Sequence, residues 1–116
     1  MIKITFFKKG SVYYGFRETG HAEYDEPGKD IVCSAVSAMT MLVMNTIEVA
    51  YSSPIDYSID DETADVEVYA YGALGENGED EKLAFAISGL LLGYYIQLTD
   101  MLDDYSDYLE VGEEET

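Results

Sequence analysis

The sequence predicts an α+β fold in which small antiparallel hairpins pack against two long helices in a single domain. Apolar and polar residues alternate within 2–16 and again within 55–70, which is the pattern of half-buried strands joined as two hairpins. Within 31–50 and 83–105, apolar residues recur at every third or fourth position, which indicates two helices with one apolar face each. A chain of 116 residues is long enough to bury one core.

The first hairpin is expected to deliver its second strand to a loop in front of the first helix. The hairpin turns at Lys8-Lys9-Gly10, and its second strand ends near Gly20 and His21. Residues 23–29 lack periodicity and include a Pro-Gly pair, which is typical of an exposed loop. The helix is expected to begin after Asp30, because aspartate is a preferred N-cap residue. A strand end and a helix start are therefore predicted to lie close together.

The second helix is expected to start near Glu81 and to carry the most apolar run of the chain, Leu83 to Leu98. Polar residues and glycines interrupt this run, and it is shorter than the ~20 residues that cross a bilayer. It is therefore interpreted as a core helix. Gly89 and Gly93 lie one helical turn apart and are expected to form a flat surface that the first helix approaches closely.

Charge is distributed unevenly along the chain. The formal net charge is −18, and residues 60–116 hold one Lys/Arg against seventeen Asp/Glu, whereas 1–59 hold five against seven. Such acidity repels phosphate backbones and anionic lipids, so a basic polypeptide is the expected partner and nucleic acid and membrane are not. Acidity can also serve solubility alone. The last acidic residues, 112–116, are expected to form a disordered tail after one domain over 1–111.

The single histidine and the single cysteine, His21 and Cys33, lie twelve positions apart. Cys33 falls in the first turn of the predicted helix, where free N–H groups and the positive end of the helix dipole favour a thiolate. A nearby imidazole favours the thiolate further, whereas the carboxylate of Asp30 opposes it. The alternative is that Cys33 is a small buried hydrophobe and His21 a turn residue.

Neither a metal nor another cofactor is expected. One histidine and one cysteine cannot form a zinc site together, and the carboxylates lack the spacing of a calcium loop. A lone cysteine also forms no intramolecular disulfide, and no signal-peptide pattern begins the chain. These features predict a cytoplasmic location.

A longer motif surrounds these two residues. It consists of Gly20-His21-Ala22, a short loop, and the helix start Asp30-Ile31-Val32-Cys33-Ser34-Ala35-Val36-Ser37. This motif, with the order of elements along the chain, resembles the ribosomal-processing cysteine protease family, Prp. Ser34 is a departure, since alanine is expected there.

The resemblance implies that Cys33 is the nucleophile and His21 its base, with Gly20, Asp30 and Ser37 as supporting residues. Asp30 has two possible roles, helix cap or orienting partner of the imidazole, and the cap is favoured because aspartate is common at that position. No third catalytic residue is assigned, so a Cys-His dyad is predicted.

The resemblance also implies a substrate, namely the precursor of the twenty-seventh large-subunit ribosomal protein. The enzyme would remove its N-terminal extension after a pair of aromatic residues, and the basic N-terminal region of the precursor would suit the acidic surface. A homodimer is expected, and residues 22–29 are expected to act as a lid. The competing hypothesis is a non-catalytic acidic binding module or chaperone for a basic ribosomal protein.

Overall fold

Five strands form one mixed sheet, and two long helices cover one of its faces. The structure, a computed structural model, describes residues 1–20, 27–75 and 80–116, and for 27–29 the backbone alone. The strands are β1 (Ile2–Lys9), β2 (Val12–Thr19), β3 (Asp56–Ile59), β4 (Val66–Tyr69) and β5 (Leu109–Glu115), and the helices are α1 (Pro27–Asn45) and α2 (Glu81–Tyr105). The order across the sheet is β3-β4-β2-β1-β5. The predicted α+β class is confirmed.

The core lies between the sheet and the helices. Alternate residues of β1 point to the helices, and one stripe of α2 points back. The fully buried members of this layer are Ile2, Ile4 and Phe6 from β1 and Ile87, Leu91 and Leu98 from α2. The carboxylate of Asp80 caps α2 by accepting a hydrogen bond of 2.8 Å from the Lys82 N–H. The predicted stripe and helix start are thus confirmed for this helix.

A bulge in the first hairpin lets β2 present aromatic rings on both faces of the sheet. The register pairs Phe7 with Gly15 but Lys8 with Tyr13, which leaves Tyr14 as the extra residue. Tyr13 consequently stacks on Tyr95 of α2, at 5.1 Å between ring centroids. The Tyr14 carbonyl accepts a hydrogen bond of 2.7 Å from the Ala70 N–H, beyond the end of β4.

The C-terminal residues form an ordered strand, which corrects the prediction of a disordered acidic tail over 112–116. Strand β5 runs parallel to β1 from the pair Ile2–Leu109 to the pair Lys8–Glu115. The Thr116 N–H continues the ladder with a bond of 2.9 Å to the Lys8 carbonyl. Cations of the first hairpin explain this order: Glu110, Glu113 and Glu114 lie 3.8, 2.7 and 3.4 Å from Lys3, Lys8 and Arg17.

Two helical segments, Asp30–Ala50 and Glu81–Tyr105, are long and apolar enough to cross a membrane if length and composition are the only criteria. The expectation that the second run is too short is therefore wrong, because α2 has 25 residues. Core helices of soluble domains meet the same criteria. Each of these helices buries one face, through Val36 and Ile47 in the first segment and Leu91 in the second.

The first helix does not approach closely at Gly89 and Gly93, which corrects the prediction of a close contact between the two helices there. A β-carbon built on either glycine would meet nothing within 4 Å. Both line an open groove of about 320 Å³ between α1 and α2, together with Met39, Leu42, Val43, Leu90, Tyr94 and Gln97. The glycines therefore widen a surface groove and do not bring two backbones together.

Candidate active site

Gly20 directly follows β2, in a conformation and a position that only glycine fits. Its φ is +90°, a value that side-chain-bearing residues rarely adopt. A β-carbon at this position would also lie 2.0 Å from the Met1 carbonyl oxygen, which is backbone that cannot rotate away. Glycine at this position therefore lets the chain leave β2 beside the start of β1, and its role as a supporting residue of the site stays a prediction.

Cys33 lies on the buried face of α1 in its second turn, not in its first. The helix begins at Pro27, four residues earlier than expected, and proline is common at the first helical position because its missing N–H costs nothing there. Cys33 is the seventh helical residue and is 5 % exposed. At this depth an α-helical N–H donates to the carbonyl four residues earlier, and the dipole effect has largely faded.

The prediction that Asp30 is the N-cap is consequently wrong. Asp30 is a helical residue within the first turn of α1, and its side chain is exposed. A carboxylate in the first turn still interacts favourably with the helix dipole. Of the two roles considered for this residue, orientation of the imidazole stays a prediction.

Ser37 and His21 complete the set of predicted site residues. Ser37 lies one helical turn after Cys33 on the continuous helix α1, as its spacing predicted, and its side chain is exposed whereas Cys33 is buried. His21 lies outside the described residues, as does 22–26 of the predicted lid. The remaining lid residues, 27–29, belong to α1, so any moving segment is shorter than 22–29.

Sequence reasoning missed a buried polar cluster that joins the sheet to both helices. The carboxylate of Glu18 on β2 accepts hydrogen bonds from the hydroxyls of Thr40 on α1 and Tyr94 on α2. Burial, and then the negative charge of Glu18, raises the pKa of Tyr94. The available signal was weak: Glu18 follows Phe16 at the inward-facing spacing of β2, and Thr40 interrupts an apolar helix face.

Among the described residues, no group of three or more His, Cys, Asp or Glu side chains is arranged to hold a metal ion. Apart from Glu18, the acidic residues in this part of the chain lie toward the surface, and several face the cations of the first hairpin. The hydrogen bond from Lys8 lowers the pKa of Glu113 to about 2, and a second one from Tyr13 acts in the same direction. This part of the negative charge is therefore neutralised within the molecule.

Comparison with known proteins identifies the fold. A crystal structure of SMU.848 from Streptococcus mutans matches at 24 % identity with a TM-score of 0.79, over 100 % of this chain and 99 % of that one. The ribosomal processing protease Prp from S. aureus, crystallised with a substrate peptide, matches at 18 % identity and a TM-score of 0.80, over 98 % of this chain and 100 % of that one. A second S. aureus Prp structure, with a covalently linked product peptide, matches at 21 % identity and 0.76 over the same shares.

No curated protein sequence matches the chain. The family model described as cysteine protease Prp, however, matches residues 1–110. The chain is therefore a cysteine protease. Within that class, it belongs to the Prp family.

Proposed function

We propose that this chain is an endopeptidase that uses Cys33 as nucleophile and His21 as base to remove the N-terminal extension of a large-subunit ribosomal protein, the twenty-seventh. One observation carries the proposal. A cysteine protease needs a cysteine nucleophile, and this chain has one cysteine and one histidine. Cys33 lies on the helix that follows β2, and His21 directly follows the constrained Gly20 at the end of that strand.

The chemistry is acyl transfer in two steps. His21 takes the proton of the Cys33 thiol, and the thiolate sulfur attacks the scissile carbonyl carbon to form a tetrahedral intermediate. The C–N bond then breaks, the leaving amine takes the proton from the imidazolium, and a thioester remains on Cys33. Water attacks the thioester, releases the carboxylic acid and restores the thiol. The oxyanion needs N–H donors, and Cys33 lies too deep in α1 for its own N–H to be one of the helix's free donors.

Burial of Cys33 sets a condition for this reaction. A side chain that is 5 % exposed cannot reach a peptide bond until the residues around it move. The lid predicted over residues 22–29 is part of this proposal: the portion that precedes α1 would close over the bound peptide and complete the dyad.

The substrate assignment draws on the relatives and on charge. The S. aureus relative is a ribosomal processing protease whose crystal structures hold a substrate peptide and a covalently linked product peptide. Ribosomal proteins are basic, and this chain carries −18. Opposite charges favour encounter between the two. The same acidity disfavours direct binding of nucleic acid, and with the lone cysteine it fits the cytoplasm.

We further propose that the active protein is a homodimer whose two copies contact each other through the helix layer, which consists of α1 and α2. Residues 31–47 and 83–99 contain no Lys, Arg, Asp or Glu, although the chain as a whole is strongly charged. Large apolar side chains on these segments are exposed, namely Ile31, Met41, Leu42, Phe85, Leu92 and Ile96. Two copies of an acidic protein can approach only where they carry little charge, and this face is such a place.

The second candidate function is a non-catalytic acidic module that holds a basic ribosomal protein. The burial of Cys33 and the strong acidity are compatible with it, because a packed cysteine needs no reactivity. The two functions differ in whether the partner changes mass.

The experiment is incubation with the precursor ribosomal protein, followed by intact-mass measurement of both proteins. The expected result is loss of an N-terminal fragment from the precursor with the wild type, and no loss with Cys33→Ala or His21→Ala. Ser34→Ala is the matched control, because this exposed helix neighbour of Cys33 should leave cleavage unchanged. A complex that forms without any change in precursor mass would instead assign the protein as a binding module.

A further inference from the structure

Glu18 is the only buried carboxylate among the described residues, with 1 % of its surface exposed. Its carboxylate accepts the Thr40 hydroxyl and, at 3.0 Å, the Tyr94 hydroxyl. The two hydroxyl oxygens lie 2.8 Å from each other. A single side chain of β2 therefore makes polar contacts with both helices at the centre of the core.

The position of this cluster relates it to the reacting residues. Glu18 lies on β2, and in sequence it is two residues before Gly20 and three before His21. On α1, Thr40 lies seven residues, or two helical turns, after Cys33, and both side chains are buried on the face that packs on the sheet. The cluster therefore joins the strand that leads to the histidine with the helix face that carries the cysteine.

Tyr94 adds a second link to the same helix face. Its hydroxyl lies 3.4 Å from the carbonyl oxygen of Val36, one turn after Cys33. Burial, and then the charge of Glu18, raise the pKa of Tyr94, which favours the protonated phenol that donates in this cluster.

Packing alone does not account for a carboxylate at this place. The surrounding inward-facing residues of β1 and β2 are Ile4, Phe6 and Phe16, all fully buried and apolar. A buried charge costs free energy even when it is well hydrogen-bonded, and an apolar residue of similar size often stabilises a core as well or better. Unlike apolar contacts, hydrogen bonds depend on distance and angle. The bond between Thr40 and Glu18 therefore restricts how α1 can lie relative to β2.

We propose that Glu18 is a positioning residue for the protease reaction, which holds the end of β2 at a fixed place relative to the Cys33 face of α1. This inference rests on the Cys33–His21 function proposed above. Misplacement of a catalytic group by about 1 Å costs on the order of a hundredfold in rate. Loss of the hydrogen bonds from Thr40 and Tyr94 to Glu18 should therefore lower kcat. KM should stay nearly unchanged, because Glu18 is buried inside the core and would not contact the peptide.

The test compares Glu18→Met, which keeps the volume and removes the acceptors, with Glu18→Gln, which keeps one acceptor oxygen. We expect kcat to fall at least about tenfold in Glu18→Met with KM within about twofold, and Glu18→Gln to retain kcat within about threefold. Val68→Ala, a buried substitution on β4, is the control for a general loss of stability. If Glu18→Met does not fold, Thr40→Val replaces it, because this variant removes the α1 donor of the same hydrogen bond. We expect the same fall in kcat for Thr40→Val.

A second readout is the rate at which iodoacetamide alkylates Cys33 at neutral pH, which needs no substrate. The expected pattern is that Glu18→Met slows alkylation to the rate of His21→Ala, whereas Glu18→Gln and Val68→Ala alkylate like the wild type. Wild-type kcat and alkylation in Glu18→Met, or an equal loss in Glu18→Gln, would overturn the proposal. If the wild type cleaves no precursor but shows this alkylation pattern, the substrate assignment fails while the positioning role stands.

Discussion

Gly20 contacts the backbone of Met1 so closely that a β-carbon on residue 20 would lie 2.0 Å from the Met1 carbonyl oxygen. This contact fixes the point at which the chain leaves β2 and runs toward His21. Glycine is therefore required at position 20 for two reasons, the φ of +90° and the close approach of the Met1 backbone.

Substitution of Gly20 by alanine should destabilise the fold and lower activity. Gly10→Ala is the matched control, because Gly10 also has positive φ, +60°, but has nothing within 4 Å of the added carbon. Gly10→Ala should cost about 1 kcal/mol, the strain of the left-handed region, and Gly20→Ala about 1–3 kcal/mol more, since overpacking adds to that strain. Urea denaturation and cleavage assays measure both. Equal losses in the two variants would show that the Met1 contact is unimportant.

Low pH should reduce the stability of the fold, because protonation of Glu113 on β5 weakens its interaction with Lys8. The hydrogen bond from Lys8 lowers the pKa of Glu113 to about 2 in the folded state, below the usual value near 4.5. The contribution is therefore fully present above about pH 4.5 and is lost as the pH falls toward 2.

The measurement is the Tm of wild type and Glu113→Gln as a function of pH. The variant should melt about 2–4 °C lower at pH 6, and the two curves should meet near pH 2. Glu110→Gln is the control, because Glu110 lies 3.8 Å from Lys3 and both are more than half exposed, so its effect should be small at every pH. A Tm difference between wild type and Glu113→Gln that stays constant down to pH 2 would contradict this assignment.

The charge-free helix layer should be a dimer interface. In light scattering at micromolar concentration, the wild type should give a dimer mass, and Leu92→Glu or Ile96→Glu should weaken the dimer at least tenfold because each buries a charge at the interface. Tyr57→Glu on β3 is the control, since Tyr57 is 54 % exposed and Ile96 56 % exposed, but Tyr57 lies on a sheet edge. A monomeric wild type, or dissociation caused by Tyr57→Glu, would refute the helix-layer interface.

The sequence was sufficient for the parts of the fold that depend on periodicity. The spacing of apolar residues predicted both hairpins and both helices, and α2 starts at Glu81 as predicted. The start of α1 was misplaced, because Asp30 and Pro27 are both acceptable near a helix N-terminus and only the helix itself shows that Pro27 begins it.

Interactions between distant parts of the chain were not predictable in the same way. The run of glutamates after Gly112 has the composition of a disordered tail, but it pairs with lysine and arginine residues about a hundred positions earlier. The contact of Thr40 and Tyr94 with Glu18 depends on how three elements pack, which local patterns do not specify. The cysteine and histidine could be singled out because each occurs once, whereas the acidic residues are too numerous for any one to stand out.

The central claim is that Cys33 forms the acyl intermediate, and a rapid-quench intact-mass measurement tests it most directly. During the first turnover with precursor, the enzyme should gain the mass of the removed N-terminal extension minus one water, and peptide mapping should place this thioester on Cys33. The adduct should be absent from Cys33→Ala. Cleavage by Cys33→Ala, or an acyl group mapped to any other residue, would contradict the account.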